Sequence, residues 1–179
     1  MINFRKATYD DHRTIAQLHA LSWQRTYRGM LKDEFLDQHV EQERLDAWQE
    51  RLSQADENRL VWLAEKENEL VGFVCVFANH DPIFGAFIDN LHVHPDLKRQ
   101  GIGAKLIYEA AAWACVQTAR TPLYLWVLEK NHNARQFYEQ IGAVNHESLI
   151  LNAVYVANTV ELRYVWENAE TIVNLTTKI

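Results

Sequence analysis

Apolar positions along this chain switch repeatedly between a period of two and a period near 3.6, and the switches mark its elements. Ile2-Asn3-Phe4-Arg5-Lys6-Ala7 predicts a strand over 2–7, and a helix follows from Asp10 or Asp11 toward Tyr27. A second helical stretch runs from about 32 to 53, with Leu45, Trp48 and Leu52 on its later apolar face. Two β-rich runs, 59–65 and 70–77, flank the polar turn Lys66-Glu67-Asn68-Glu69 and read as a hairpin. Beyond it come a strand at 87–93, a helix at 101–118, a strand at 122–128 and a helix at 131–141. Ile102, Leu106, Ile107, Ala110, Trp113 and Ala114 give the longer of these helices a buried face. Strands near 143–150 and 156–167 close the pattern. In the tail, Val173 and Leu175 fit either an added strand or a partner-facing segment.

Strands and helices mixed in this order predict an α/β (α+β) sandwich around a mostly antiparallel sheet. At 179 residues the chain suits one domain with a sizeable core. No Ser/Gly-rich or Pro-rich linker divides it, and no repeat or low-complexity tract interrupts it. No apolar run approaches a membrane span, and Arg5, Lys6 and Asp10 are unlike a signal peptide, so a cytoplasmic protein with no membrane partner is expected. A net charge of −6, without a basic run interleaved with aromatics, argues against nucleic acid and mildly favours cationic substrates. Cys75 and Cys115 have neither metal spacing nor a disulfide framework and read as reduced and buried. His92 and His94 form a His-x-His pair with no third ligand at recognisable spacing, so no metal is expected.

The chemistry begins at the junction Val93-His94-Pro95-Asp96-Leu97-Lys98-Arg99-Gln100-Gly101-Ile102-Gly103-Ala104, between a strand and a long helix. Glycines there let backbone amides turn outward together at a helix start, where the dipole reinforces them, and such a place prefers an anion, above all a phosphate. The NTPase phosphate loop is excluded because the chain has no Gly-Lys pair. A dinucleotide loop is excluded because Leu106 stands where its third glycine or alanine belongs. The plain alternative is a tight strand-to-helix turn that uses glycine only for packing.

A second stretch narrows the choice: Leu123-Tyr124-Leu125-Trp126-Val127-Leu128, then Asn131-His132-Asn133-Ala134-Arg135-Gln136-Phe137-Tyr138 and the closing Gly142. Together the two stretches resemble the GNAT superfamily of acyl-CoA-dependent N-acetyltransferases, matching its Gln/Arg-x-x-Gly-x-Gly/Ala and Asn-x-x-Ala-x-x-Phe-Tyr patterns in order and spacing. Lys98 departs from the first pattern, where Gln or Arg is usual. The opening strand, Ser22 to Gly29 and Val160-Glu161-Leu162-Arg163-Tyr164 are similar to the first strand, first helix and last strand of small bacterial members. The resemblance implies a mixed, mostly antiparallel sheet of about seven strands, splayed between the fourth and fifth and flanked by about four helices. It assigns residues 1–167 to the N-acetyltransferase domain and leaves 168–179 as an extension of unknown role.

The same resemblance implies acetyl-CoA as co-substrate. Pantetheine would run along Leu91, His92 and Val93, whose amide can polarise the thioester. The pyrophosphate would lie over Lys98, Arg99, Gln100, Gly101, Ile102, Gly103 and Ala104, and Asn131, Asn133, Ala134, Phe137 and Tyr138 would complete the cofactor side. Tyr138 is the expected general acid, since a phenol can protonate a departing thiolate; the alternative is a core tyrosine. Asn131 also suits a helix N-cap. For the base, Asp89 comes first and His92 second; strand alternation sends them to opposite faces unless a bulge intervenes. Relatives with a glutamate on the fifth strand have Trp126 in its place here. Trp23, Tyr27 and Arg28 are expected to line the acceptor side. The reading is an acetyltransferase for a primary amine, a small molecule first, with a protein lysine or N-terminus as the nearest alternative. A non-catalytic acyl-CoA sensor is the alternative of another class. Oligomeric state is left open, a homodimer included.

Overall fold

The computed structural model of the chain describes residues 1–117, 121–151, 155–156 and 159–176. Among these, seven strands make one sheet: β1 (Ile2–Lys6), β2 (Arg59–Lys66), β3 (Glu69–Asp81), β4 (Gly85–Val93), β5 (Leu123–Leu128), β6 (Val144–Leu151) and β7 (Thr159–Trp166). Their order is β1-β2-β3-β4-β5-β7-β6. Neighbours are antiparallel except β4 and β5, which run parallel. Helices α1 (His12–Thr26), α2 (Asp33–Gln38), α3 (Val40–Ser53), α4 (Ile102–Gln117), α5 (His132–Gln140) and α6 (Glu170–Thr176) cover the sheet.

Six helices replace the expected four for two local reasons. The stretch 32–53 divides at His39, whose φ of −124° leaves the helical region and ends α2 where α3 begins. The tail forms α6 rather than a strand. The Asn168 side chain accepts from the Glu170 amide at 2.9 Å, the helix start this places after β7, and Ile172 is fully buried in the core shared with α4. One face of the sheet is thus sealed by α4 and α6, through Leu106, Ile107 and Ala110. The other face packs α1 and α3 around Ile15, Trp48, Leu63 and Phe73. A third cluster, Leu31, Leu36, Leu128 and Val156, lies beneath α2. Cys75 is buried, its thiol pushed up to about 12 by desolvation, whereas Cys115 is only partly buried, short of the expectation. No helix among the described residues is long and apolar enough to cross a membrane.

The start of α1 is held electrostatically. Arg5 on β1 grips Asp11 at 2.7 Å and Glu65 on β2 at 2.6 Å. Asp11 also accepts from the Thr8 amide at 2.7 Å. The Arg5 guanidinium above all lowers the Asp11 carboxyl from 3.8 to about 2. A carboxyl depressed in the folded state contributes stability above its unfolded pKa and loses it as pH falls through the folded one. Asp11→Asn is therefore less stable than wild type above about pH 4, and the two converge as the pH approaches about 2. Urea midpoints measured across that window check this, and a pH-independent gap would contradict it.

The sheet is pinched at one end of the β4–β5 pair and open at the other. Pairing covers only Ala86–Ile88 against Leu123–Leu125. At the pinched end the Ala86 amide donates to the Pro122 carbonyl at 3.0 Å. Gly85 has φ +73°, and a Cβ there would stand 2.3 Å from the Pro122 oxygen, so only glycine fits. Past Ile88 the two strands part.

Candidate active site

The parting of β4 and β5 opens a cavity of about 710 Å³. Its walls are the end of α1, β4 from Ile88 to Val93, the loop into α4, the middle of β5, and α5. Toward β5 the main chain of β4 beyond Ile88 has no ladder partner, which leaves its polar groups facing the gap.

A bulge sets the direction of the β4 side chains. Cys75 pairs with Asn90 while Val76 pairs with Ile88, so Asp89 is the extra residue. Expected alternation put Asp89 and His92 on opposite faces; the bulge returns both to the α1–α3 side. Asp89 meets Arg51 of α3 at 2.6 Å and also accepts from the Asn90 amide group. His92 lies against Phe73 and His19, and its Nδ1 is 2.9 Å from the Ser22 hydroxyl. Desolvation above all, then Lys98 and Arg44, pushes His92 down to about 3, so the ring is neutral at ordinary pH. Behind it His19 is fully buried and accepts the Trp48 indole N–H on Nδ1 at 3.0 Å.

The loop into α4 has the predicted shape. Arg99 and Gly101 both take positive φ, +65° and +80°, which turns successive amides toward one side at the helix start. At Gly101 it is this conformation, not space, that calls for glycine, since a Cβ there meets nothing within 4 Å. Lys98 bends back to α1, its Nζ 3.3 Å from the Thr26 hydroxyl, and Lys105 is paired with Glu109 at 2.7 Å. Leu91, His92, Val93, Lys98, Arg99, Gly101, Ile102, Gly103 and Ala104 line the cavity; Gln100 does not.

Across the gap, Asn131 caps α5, its side-chain oxygen accepting from the Ala134 amide at 3.3 Å. This orients α5 so that Asn133, Ala134, Phe137 and Tyr138 also reach the cavity. Tyr138 is 8% exposed and packs on Phe137, Tyr164 and Trp166, yet its hydroxyl has no hydrogen-bond partner among the described residues. Burial, then the nearby Tyr27, raises its phenol above the ordinary value. Tyr27 lines the cavity from α1 and is itself pushed up to about 12 by burial.

Of the three residues expected at the acceptor wall, only Tyr27 lines the cavity. Trp23 stands behind it in a cluster with Phe35 and Tyr155, and the Arg44 guanidinium lies 4.6 Å over its ring. Arg28 is exposed and tied to Asp33 at 3.1 Å and to Asp37, joining α1 to α2. Ser22, Thr26 and Trp126 line the cavity in addition. Ser22 and Thr26 were not among the expected residues; the signal that could have found them is their polar i, i+4 spacing near the end of α1. Among the described residues no group of three or more His, Cys, Asp or Glu is placed to hold a metal.

An open sheet with outward-turned amides at a helix start on one lip and a buried tyrosine on the other has the plan of an acyltransferase. The family model described as the Acetyltransferase (GNAT) family matches residues 15–143, and the chain belongs to that family of N-acetyltransferases. The uncharacterized N-acetyltransferase YuaI of Bacillus subtilis is 26% identical over 137 residues, covering 73% of this chain and 74% of that one. The L-ornithine N5-acetyltransferase NATA1 of Arabidopsis thaliana is 33% identical over 93 residues, 49% of this chain and 40% of that one. Among solved structures, the PaiA N-acetyltransferase of Thermoplasma acidophilum, in complex with coenzyme A, superposes with a TM-score of 0.74. That match has 20% identity over 93% of this chain and 99% of the other.

Proposed function

We propose that the chain transfers an acetyl group from acetyl-CoA to a primary amine by direct attack, with Tyr138 as general acid. The observation that carries this is the single cavity joining the outward-turned amides at Gly101 to the unpartnered hydroxyl of Tyr138. Residues 1–167 are the catalytic domain in this reading. The donor's phosphates rest on the amides of Arg99 to Ala104, with positive charge from Arg99 beside them. Its pantetheine arm lies along the free edge of Leu91, His92 and Val93, against Asn131, Asn133, Ala134 and Phe137. The site residues fit such a donor: one end prefers an anion, and the free strand edge offers alternating donors and acceptors to an amide-bearing arm.

During transfer an N–C bond forms as the C–S bond breaks. The departing sulfur takes the phenolic proton, and Tyr138 recovers one from the acylated nitrogen or from solvent. Burial raises the proton affinity of phenol and thiolate together, so the two acidities move in the same direction. The ornithine acetyltransferase among the relatives takes a primary alkyl amine as its acceptor, which supports the same acceptor class here.

Thermal melts with acetyl-CoA and thiol release across a panel of primary amines test the reading. At about a hundred times Kd, acetyl-CoA adds about 2.7 kcal/mol of stability, and at least one alkyl amine releases CoA above background. No shift in melting temperature would remove the donor site. A shift without thiol release from any amine would leave an acyl-CoA-binding sensor instead.

A further inference from the structure

The acceptor amine arrives as an ammonium, because a primary alkyl amine keeps its proton at neutral pH. A group must therefore receive that proton. Asp89 is held by Arg51 and Asn90, and His92 is too weak a base to hold a proton near neutral pH. Of the other acidic groups nearby, Glu147 pairs with Arg163 at 2.8 Å, Glu43 with Arg44, and Asp33 and Asp37 with Arg28, while Glu129, whose amide donates to the Val160 carbonyl, is exposed.

Glu161 differs from all of these. It is only partly exposed, yet among the described residues it has neither a hydrogen bond nor an ion pair from its side chain. It sits in β7 directly opposite Leu128 of β5 and Leu149 of β6. Directly paired residues share a face of the sheet. Leu128 packs into the cluster that Trp23, Tyr27, Phe35 and Tyr155 surround, so Glu161 lies on the face that carries those rings. The segment between α1 and α2 is stitched over this face. The Lys32 amide donates to the Tyr155 carbonyl at 3.0 Å, the Thr159 hydroxyl to the Met30 carbonyl at 2.7 Å, and Leu31 bridges Val156. Glu161 does not itself line the cavity; Tyr27, which packs in this cluster against Trp23 and lines the cavity together with Tyr138, connects the two.

We propose that Glu161 receives the acceptor's ammonium and takes its first proton, and that Tyr27, backed by Trp23, Phe35 and Tyr155, holds the apolar stem that carries it. This rests on the acetyltransferase reading of the cavity. The ammonium gives one proton to the Glu161 carboxylate, which passes it to solvent. The neutral amine then attacks the thioester carbon, and the nitrogen's second proton replaces the one Tyr138 gives to sulfur. Desolvation raises the Glu161 carboxyl above its ordinary value. The titratable groups around it are Tyr27 from α1 and Tyr155 from the β6–β7 connection, with Glu43 and Arg44 of α3 acting on Tyr155 in turn. Aromatic faces add attraction for an alkylammonium on its way to the carboxylate.

Glu161→Gln keeps the shape and removes the base. With the amine that turns over fastest, its kcat/KM at pH 7 is expected to fall by about 10²-fold or more, and to recover toward high pH, where the amine arrives already neutral. Glu161→Asp retains the wild-type form of the pH profile at a reduced rate. Acetyl-CoA still raises the melting temperature of both variants, which shows that they are folded and bind donor. A Glu161→Gln enzyme with kcat/KM and pH profile within two-fold of wild type would overturn the role of Glu161 alone. Wild type that neither binds acetyl-CoA nor releases thiol would overturn the acetyltransferase reading, and this proposal with it.

Discussion

Tyr138→Phe is expected to slow thiol release by about 10²- to 10⁴-fold while acetyl-CoA still raises the melting temperature. The substitution removes one oxygen and leaves the ring contacts with Phe137, Tyr164 and Trp166 in place. The hydroxyl has no partner among the described residues, so its loss orphans no protein group and costs the fold little. That separation is what makes the experiment decisive. A tyrosine that served the core through its hydroxyl would show the opposite pattern, with stability lost and rate kept. Steady-state rates read by free thiol, beside melts of the same preparation, distinguish the two. An unchanged rate would remove Tyr138 from the chemistry.

Gly85→Ala should be the most damaging small substitution in the sheet, at about 2–4 kcal/mol, from overpacking against backbone plus a positive-φ penalty. The colliding atom is the Pro122 carbonyl oxygen at 2.3 Å, and main chain cannot swing aside as a flexible side chain would. Relief requires β4 and β5 to separate at the end where they are closest, and that loses the Ala86 to Pro122 hydrogen bond as well. Because that end fixes the angle at which the strands diverge, the variant should also bind acetyl-CoA more weakly. Urea unfolding and titration of the melting temperature with acetyl-CoA measure the two effects. Gly101→Ala is a useful contrast: its Cβ meets open space, so only the conformational part of the cost applies.

The strand and helix order was legible because each long element carries an unbroken period: Ile102 to Ala114 in α4 is one example, the β3 run another. Two features escaped the pattern because they depend on single backbone events. His39 lies in a helical composition and leaves the helix through its own φ, which no periodicity announces. The bulge at Asp89, which the expectation of opposite faces left open, inserts no glycine and no proline, so nothing in the sequence marks where it falls. The residues that line the cavity around Gly101 and α5, the proposed donor side, were legible because glycine, asparagine and an aromatic pair at fixed spacing are chemically distinctive. The proposed acceptor side was not, since it is assembled from α1, the β6–β7 connection and β7, segments more than a hundred residues apart. The one clue to Glu161 was an isolated acid in an otherwise apolar strand segment, Val160-Glu161-Leu162.

The extra residue in β4 has a consequence for how the strand can change. Before Asp89 the strand's even-numbered positions, Ala86 and Ile88, serve the core beneath α4; after it the odd-numbered Leu91 and Val93 do so, and His92 turns to the other side. One strand thus carries two reading frames for side-chain direction, joined at a single position. Substitutions can rewrite either frame freely. Losing or gaining one residue at the join would exchange inside for outside along the whole lip of the cavity, so the length of β4 is a stricter constraint than the identity of most of its residues.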